Sequence, residues 1–217
     1  MRSITAMKAI TTLTTILILA TTVSAQLPSP IKVYAGGGLS IQHKPPTFDG
    51  WYKIGWHMTT GVGYSVAPMV ELVGSFDYHT FTSDFTKSGD ATLGRVGGGD
   101  IKAAMFGVNA KVKPSLPMIP IKPYGVAGIG MAKVTQTDFD WPPLTKVGTA
   151  RFWEDVLGLE DQTKFYYRFG GGVIYSLFPK VSLYAEARYT TIQIDGANTV
   201  FDKPLRFWAV TGGVRLM

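Results

Sequence analysis

The chain has 217 residues, of which 46% are hydrophobic and only 17% are charged, and it contains no cysteine. This apolar content excludes a disordered chain, and the absence of cysteine excludes a disulfide-stabilised scaffold, a thiolate metal site and a cysteine nucleophile. The formal net charge is +6, but no two basic residues are adjacent, so the sequence offers no focused patch for nucleic acid.

The start of the chain is predicted to be a cleaved secretory signal peptide. Arg2 and Lys8 give it a positive charge, a short apolar segment follows, and small residues at positions 23–25 suit a cleavage site. Seven threonines between positions 5 and 22 argue against a membrane-anchoring helix, which needs about 20 apolar residues. We therefore assign residues 1–25 to a signal peptide and residues 26–217 to one exported domain.

The rest of the chain is predicted to form β-strands, because segments of about 10–13 residues alternate between apolar and polar side chains. In one of them, Leu183 and Ala185 lie on one face and Glu186 lies on the other. Short connections follow the second, fourth and sixth segments and long loops follow the others, which indicates an antiparallel meander. The eight predicted strands are residues 31–41, 54–66, 69–82, 102–112, 121–134, 163–177, 181–192 and 205–217.

Two of the short turns have matching sequences. The segment 64–68 (Tyr-Ser-Val-Ala-Pro) parallels the segment 175–179 (Tyr-Ser-Leu-Phe-Pro), and the proline restricts the backbone of each turn. Residues opposite each other in a hairpin must share a face, so a three-residue turn is predicted in each case, at 67–69 and 178–180.

A closed barrel of eight such strands is either a soluble lipocalin-like cup, apolar inside, or an outer-membrane barrel, apolar outside. Charges of both signs share one face of the strands, where they can neutralise one another in a narrow lumen. The opposite face is almost free of charge and has aromatic residues near both strand ends, as membrane interfaces favour. The charged residues are Lys32, Glu71, Asp77, Lys111, Arg168, Glu186, Arg188 and Arg215, and the aromatic residues are Trp56, Tyr64, Tyr78, Tyr167, Tyr175, Tyr189 and Trp208.

The signal peptide, the eight strands, the alternation of short turns and long loops and the Gly-Val-Arg-Leu ending at 213–216 resemble the small bacterial outer-membrane barrels of the OmpA/OmpX type. The resemblance covers residues 31–217 and implies an all-β, eight-stranded antiparallel up-and-down transmembrane β-barrel in the outer membrane of a diderm bacterium. The implied partners are outer-membrane lipid and lipopolysaccharide, with an extracellular surface ligand for the long loops. We expect no peptidoglycan-binding domain of the kind that larger family members carry.

We expect a non-enzymatic protein with a structural role or a role in interaction through its loops. Eight strands enclose a lumen that side chains can fill, so no wide pore is expected, and neither a cofactor nor a metal is expected. Two alternatives remain open: a lipid A-modifying outer-membrane enzyme and a soluble lipocalin-like periplasmic binding barrel.

A polar network of mixed sign is predicted inside the barrel. Counting from the turn at 178–180 places Gly172 opposite Glu186 and Gly170 opposite Arg188. These glycines leave room for long charged side chains near the middle of the barrel. The predicted network consists of Arg168, Glu186, Arg188, Glu71 and Lys111.

The same counting from the first short turn brings His57 opposite His79. The pair is expected to lie about 30 Å from that turn, near the outer mouth of the barrel. His57, Asp77 and His79 are therefore predicted to form a cluster there. One interpretation is a polar contact at the lumen entrance. The other is a catalytic group in which Ser75 or Ser83 supplies the nucleophile. A metal site with two histidines lacks a convincing third ligand.

The long loop at 135–162 has a net charge of −4 and four aromatic residues. Its Trp141, Phe152 and Trp153 are candidates for binding a partner surface, and they can equally pack the loop onto the barrel rim. Residues 149–157 are predicted to form a short helix. Basic rim residues are candidates for contact with lipid phosphates, against the alternative of a solvated rim. They are Lys53, Lys102, Lys164 and Arg206.

Overall fold

The structure, a computed structural model, describes residues 31–88, 96–114, 121–141, 159, 161–194 and 203–217. The predicted signal peptide, the predicted helix at 149–157, Phe152 and Trp153 lie outside these residues. The strands are β1 (Ile31–Lys44), β2 (Gly55–Ala67), β3 (Val70–Phe81), β4 (Gly97–Gly98), β5 (Ile101–Val112), β6 (Ile121–Gln136), β7 (Phe139–Asp140), β8 (Gln162–Phe178), β9 (Val181–Ile192) and β10 (Leu205–Leu216).

All strands except β4 and β7 form one closed antiparallel barrel of eight strands, which β10 completes by pairing with β1. This confirms the predicted fold. Every predicted strand is present, with ends that differ from the prediction by three residues or fewer. The agreement follows from the two-residue period of the side chains, which is directly visible in the sequence.

The hairpin between β2 and β3 corrects the predicted turn. Ala67 pairs with Val70, so the turn has two residues rather than three. A β-bulge at Val66 adds one residue to β2 just before the turn. Because this bulge compensates for the shorter turn, the register beyond it is unchanged, and the predicted pairing of His57 with His79 is confirmed.

The hairpin between β8 and β9 is built in the same way. Phe178 pairs with Val181 across a two-residue turn, and a bulge at Leu177 restores the register. Glu186 lies opposite Gly172 as predicted. The shared sequence at the two turns thus encodes a bulge followed by a tight turn, which counting residues alone does not distinguish from a three-residue turn.

The described parts of the first three long loops pack over one end of the barrel and form a cap. Helix α1 (Pro46–Trp51), which the sequence analysis did not predict, follows β1, and a 3-10 turn (Phe85–Ser88) follows β3. β4 pairs with β7 and so connects the second and third long loops. Gly98 and Gly99 in this connection have φ values of 72° and 73°, which favour glycine. No helix in the described part of the chain is long and apolar enough to span a membrane.

The barrel is polar inside and apolar outside. Asp77, Arg168 and Arg188 are buried in the lumen. On the outer face, the side chains of Phe106 and Ile129 are 63% and 58% exposed. A soluble binding cup has the opposite distribution, so the lipocalin-like alternative is wrong.

Candidate functional site

An apolar plug fills the lumen directly beneath the cap. The ring of Phe81 lies 4.9 Å from that of Phe48 and 5.2 Å from that of Phe207, measured between centroids. Phe48 comes from α1, so the first long loop inserts a side chain into the barrel mouth. The remaining buried members include Tyr52, Ile101, Met105, Val134, Tyr166, Ile192 and Leu205.

Tyr52 ties the first three long loops together. Its hydroxyl donates a hydrogen bond to the carbonyl oxygen of Gly99 (3.1 Å) and accepts one from the side-chain amide of Gln136 (3.1 Å). The amide oxygen of Gln136 accepts a hydrogen bond from the backbone of Leu159 (2.6 Å). Burial raises the pKa of Tyr52 well above its ordinary value, so the hydroxyl remains a donor at physiological pH.

Replacing Tyr52 with phenylalanine is expected to loosen the cap while leaving the barrel folded. The variant loses both hydrogen bonds of the hydroxyl, at a cost of about 1 kcal/mol. We expect roughly fivefold faster amide hydrogen exchange at Leu159. Tyr64→Phe, on the exposed outer face, is the matched control and should leave exchange in the cap unchanged. Equal exchange in the two variants would show that Tyr52 does not hold the loops.

The two strand histidines lie below the plug and share one serine. Their rings stack with centroids 4.9 Å apart, and the hydroxyl of Ser40 lies 3.1 Å from Nδ1 of His57 and 2.8 Å from Nδ1 of His79. Nε2 of His57 lies 2.8 Å from the hydroxyl of Thr211. Because one hydroxyl has a single proton, Ser40 donates to one imidazole while the other donates to Ser40. Ser40 was not predicted to belong to this cluster, although alternation along β1 places it on the inward face.

Asp77, the third member of the predicted cluster, makes its ion pairs with two arginines. Its carboxylate accepts hydrogen bonds from Arg168 Nη1 at 2.7 Å and Arg188 Nη2 at 2.9 Å. All three side chains are buried, so the carboxylate is committed to two guanidinium groups. Of the two predicted nucleophiles, Ser75 accepts a hydrogen bond from Arg168 and donates one to Asp77 (3.3 Å), and Ser83 donates one to a carbonyl in the cap. Neither set of bonds joins the serine to a histidine, as a catalytic triad requires.

Arg168 spans the lumen and uses most of its donors. Besides Asp77, it donates from Nε to the side chain of Asn109 (2.6 Å) and from Nη2 to Ser75 (2.6 Å). Asn109 in turn donates to Ser75 (3.0 Å) and to the backbone of Val73 (3.2 Å). Three strands are thereby cross-linked at the middle of the barrel.

Glu186 connects this layer to a lysine below it. Its carboxylate lies 2.9 Å from Nε of Arg188 and 2.9 Å from Nζ of Lys111, and it accepts a hydrogen bond from Tyr124 at 2.7 Å. The Lys111 ammonium also faces the rings of Tyr34 and Tyr124, at 4.3 and 4.8 Å from their centroids. Cation–π contacts and an ion pair together offset the burial of this charge.

Glu71 forms a separate cluster near the short-turn end. Lys32 contacts its carboxylate at 2.8 Å, and Lys113 and the hydroxyl of Tyr34 also bind it. Burial lowers the pKa of Lys113, which lies beyond the end of β5, to about 8. Lys113 therefore remains mostly protonated near pH 7 and retains its ion pair with Glu71.

One small cavity lies between these layers. A cavity of about 20 Å³, lined by Ser75, Asn109, Lys111 and Arg188 among others, has room for about one water molecule. Within the described residues, no group of three or more histidine, aspartate or glutamate side chains is arranged to hold a metal ion. The lumen site is thus a packed polar core beneath an apolar plug.

The outer surface has the chemistry of a membrane-spanning face. Near the long loops, the ring centroid of Tyr189 lies 5.2 Å from that of Trp208 and 5.6 Å from that of Phe169. At the short-turn end, Tyr64 and Tyr175 are exposed on the same face. The face between these two aromatic bands is apolar and exposed. Aromatic bands that flank an apolar zone, around a closed barrel with a polar interior, define a transmembrane β-barrel.

The comparison with protein families agrees with this class. The chain belongs to the family described as the outer membrane protein beta-barrel domain, whose profile matches residues 13–214. It is therefore an outer-membrane barrel protein. No curated protein sequence matches the chain significantly.

Solved structures that are similar to this chain come from several bacteria. Neisserial surface protein A is similar over 87% of this chain and 97% of its own, with 19% identity and a TM-score of 0.55. The N-terminal barrel domain of Pseudomonas aeruginosa OprF covers 86% and 95%, with 13% identity and a TM-score of 0.48. Ail, the attachment invasion locus protein of Yersinia pestis, covers 86% and 97%, with 16% identity and a TM-score of 0.43. At 19% identity, the similarity to the Neisserial protein concerns the fold alone.

The described part of the third long loop packs onto the cap. Four aromatic rings follow one another in a row: Trp141, Phe139, Phe85 and Trp51. The distances between successive ring centroids are 6.1, 5.9 and 6.3 Å. Trp51, Phe139 and Trp141 are half-buried, whereas Phe85 is fully buried. The loop therefore presents part of an aromatic row at the surface of the cap.

Proposed function

We propose that this protein is a sealed, non-enzymatic outer-membrane barrel that acts structurally and presents its folded cap to an extracellular surface ligand. The observation that carries the proposal is the filled lumen, in which Asp77, two arginines and Glu186 bridge the barrel beneath an apolar plug. A barrel packed in this way supports a role for its surfaces rather than for transport. Export through the cleaved signal peptide at 1–25 is part of the same proposal.

The contact surface for a ligand is the aromatic row of Trp51, Phe139 and Trp141 on the cap. Hydrogen bonds through Tyr52 and the β4–β7 sheet support a fixed arrangement of this row, which reduces the entropy lost when a ligand binds. At the rim below the cap, we propose contact with lipopolysaccharide, while other outer-membrane lipid surrounds the apolar face.

Conductance in planar bilayers tests the proposal. The purified full chain is expected to insert without opening stable channels, while a porin in the same membrane serves as the positive control. Large, stable channels would contradict the sealed lumen. The acyl pattern of lipid A, measured by mass spectrometry with and without the protein, is expected to be identical, and a changed pattern would favour the enzymatic alternative.

A further inference from the structure

The outward face of the barrel has a charge asymmetry that the packed lumen does not explain. Among the outward-facing positions of the described strands, only four residues are charged, and all four are cations. All four lie at the extracellular ends of their strands, and no acidic residue shares this face. They are Lys44, Lys102, Lys133 and Arg206.

Two of these cations are direct neighbours. Lys44 and Arg206 are cross-strand partners on β1 and β10, whereas Lys102 and Lys133 are offset, with Thr135 opposite Lys102. Like charges that lie directly opposite each other destabilise a sheet. Neither Lys44 nor Arg206 forms an ion pair with any described residue. A bound anion converts this repulsion into attraction.

The register fixes the depth of the pair relative to the membrane. One outward row lower on β10 lies Trp208, which pairs with Ile41 on one side and Tyr189 on the other. Trp208 and Tyr189 belong to the aromatic band near the long loops. Two residues along a strand correspond to about 6–7 Å, so the cations lie just above the band, at the level of lipid headgroups.

We propose that Lys44 and Arg206 bind a phosphate group of a lipid headgroup in the outer leaflet, and that lipopolysaccharide supplies it. The inference rests on the proposed function for the extracellular placement of this rim and deepens the contact with lipopolysaccharide proposed there. The guanidinium group of Arg206 presents paired donors that match phosphate oxygens, and Lys44 adds a second charge from the neighbouring strand.

The surface below the pair favours a lipid over a free anion. Ile41, Trp208 and Val210 form an exposed apolar strip that continues from the cations towards the membrane centre. Acyl chains can lie along this strip while the phosphate stays at Arg206. Inorganic phosphate gains only the electrostatic part of this interaction.

The test titrates the folded full chain in detergent micelles with purified lipid A and follows binding by native mass spectrometry. Combining Lys44→Gln with Arg206→Gln is expected to weaken binding at least about tenfold, since each cation near an anionic lipid contributes roughly a factor of five. The matched control combines Lys122→Gln with Lys180→Gln, which removes the same charge from exposed periplasmic positions and should stay within about twofold of wild type.

Further arms identify the ligand. Dephosphorylated lipid A is expected to bind the wild type as weakly as lipid A binds the double variant. The proposal is overturned if the double variant binds like wild type, if the control loses as much affinity, or if removing the phosphates has no effect. Displacement of lipid A by an equal concentration of inorganic phosphate would instead identify a free-anion site.

Heat-modifiable migration on gels verifies that each variant is folded. If the double variant does not fold, Arg206→Gln alone is expected to lose about fivefold in affinity, and an unchanged affinity overturns the proposal. Channel formation in the conductance experiment would contradict the sealed barrel without affecting lipid binding, so the two proposals fail separately.

Discussion

Replacing Asp77 with alanine is expected to destabilise the barrel by about 3–5 kcal/mol, because two buried guanidinium groups lose their shared carboxylate. Arg168 and Arg188 approach Asp77 at 2.7 and 2.9 Å, and none of the three side chains has more than 5% exposure. The measurement is the free energy of unfolding in urea, with the protein folded in detergent micelles and the folded fraction read from heat-modifiable migration.

Two further variants separate the charge from other effects. Asp161→Ala removes an exposed carboxylate and should change stability by less than about 0.5 kcal/mol. Combining Asp77→Asn with Arg168→Gln should cost less than the sum of the two single changes, because both act on one interaction. An Asp77→Ala variant as stable as wild type would mean that the lumen charges are solvated and independent.

Replacing Phe81 with alanine is expected to remove the centre of the apolar plug. Its ring contacts those of Phe48, from the cap, and Phe207, from β10, and it is 1% exposed. Loss of a buried phenylalanine costs about 3–5 kcal/mol where the surroundings cannot close the cavity. We expect lower resistance to urea, together with proteolytic cleavage in the first long loop, which loses the surface that holds Phe48.

The matched control for this change is Phe178→Ala at a periplasmic turn, where the side chain is 67% exposed. It should cost less than about 1 kcal/mol and leave the first long loop as resistant as in wild type. If Phe81→Ala reduced stability but left the loop resistant, the cap would be held by the hydrogen bonds of Tyr52 rather than by the plug.

The strands and the register could be predicted because both depend on alternation along the chain. The bulges at Val66 and Leu177 did not disturb this prediction, since each one offset a turn that is one residue shorter than expected. The predicted pairing of His57 with His79 is therefore correct, although the predicted length of the turn is not. Parity is a stronger constraint than turn length, because every outward side chain depends on it.

The ion pairs that the lumen charges form were harder to predict from the sequence. Asp77 and Arg188 are 111 positions apart and meet across the lumen, on strands that do not pair with each other. Periodicity shows that both point inward, but it does not show which side chains meet. For the same reason Asp77 was predicted to lie beside His79, its neighbour along β3, whereas its ion pairs with the two arginines were not predicted.

The cap was also not predictable from local patterns. Helix α1 (Pro46–Trp51) is only six residues long and begins with proline, and it is held by the insertion of Phe48 into the barrel mouth. Such a short helix depends on tertiary contacts rather than on its own sequence. Phe139 and Trp141 of the third long loop are likewise arranged by contacts between loops, since the ring of Phe139 packs against Phe85 of the second.

The most direct test of the sealed barrel is the reactivity of single cysteines introduced into β10, since the natural chain contains none. Thr211 faces the lumen and Val210 faces outward, one residue apart. In protein folded in lipid vesicles, Thr211→Cys is expected to resist a small water-soluble maleimide until the barrel is unfolded, and Val210→Cys is expected to react only with a lipid-soluble reagent. Rapid labelling of Thr211→Cys by the water-soluble maleimide in the folded protein would reveal a water-filled lumen and contradict the account.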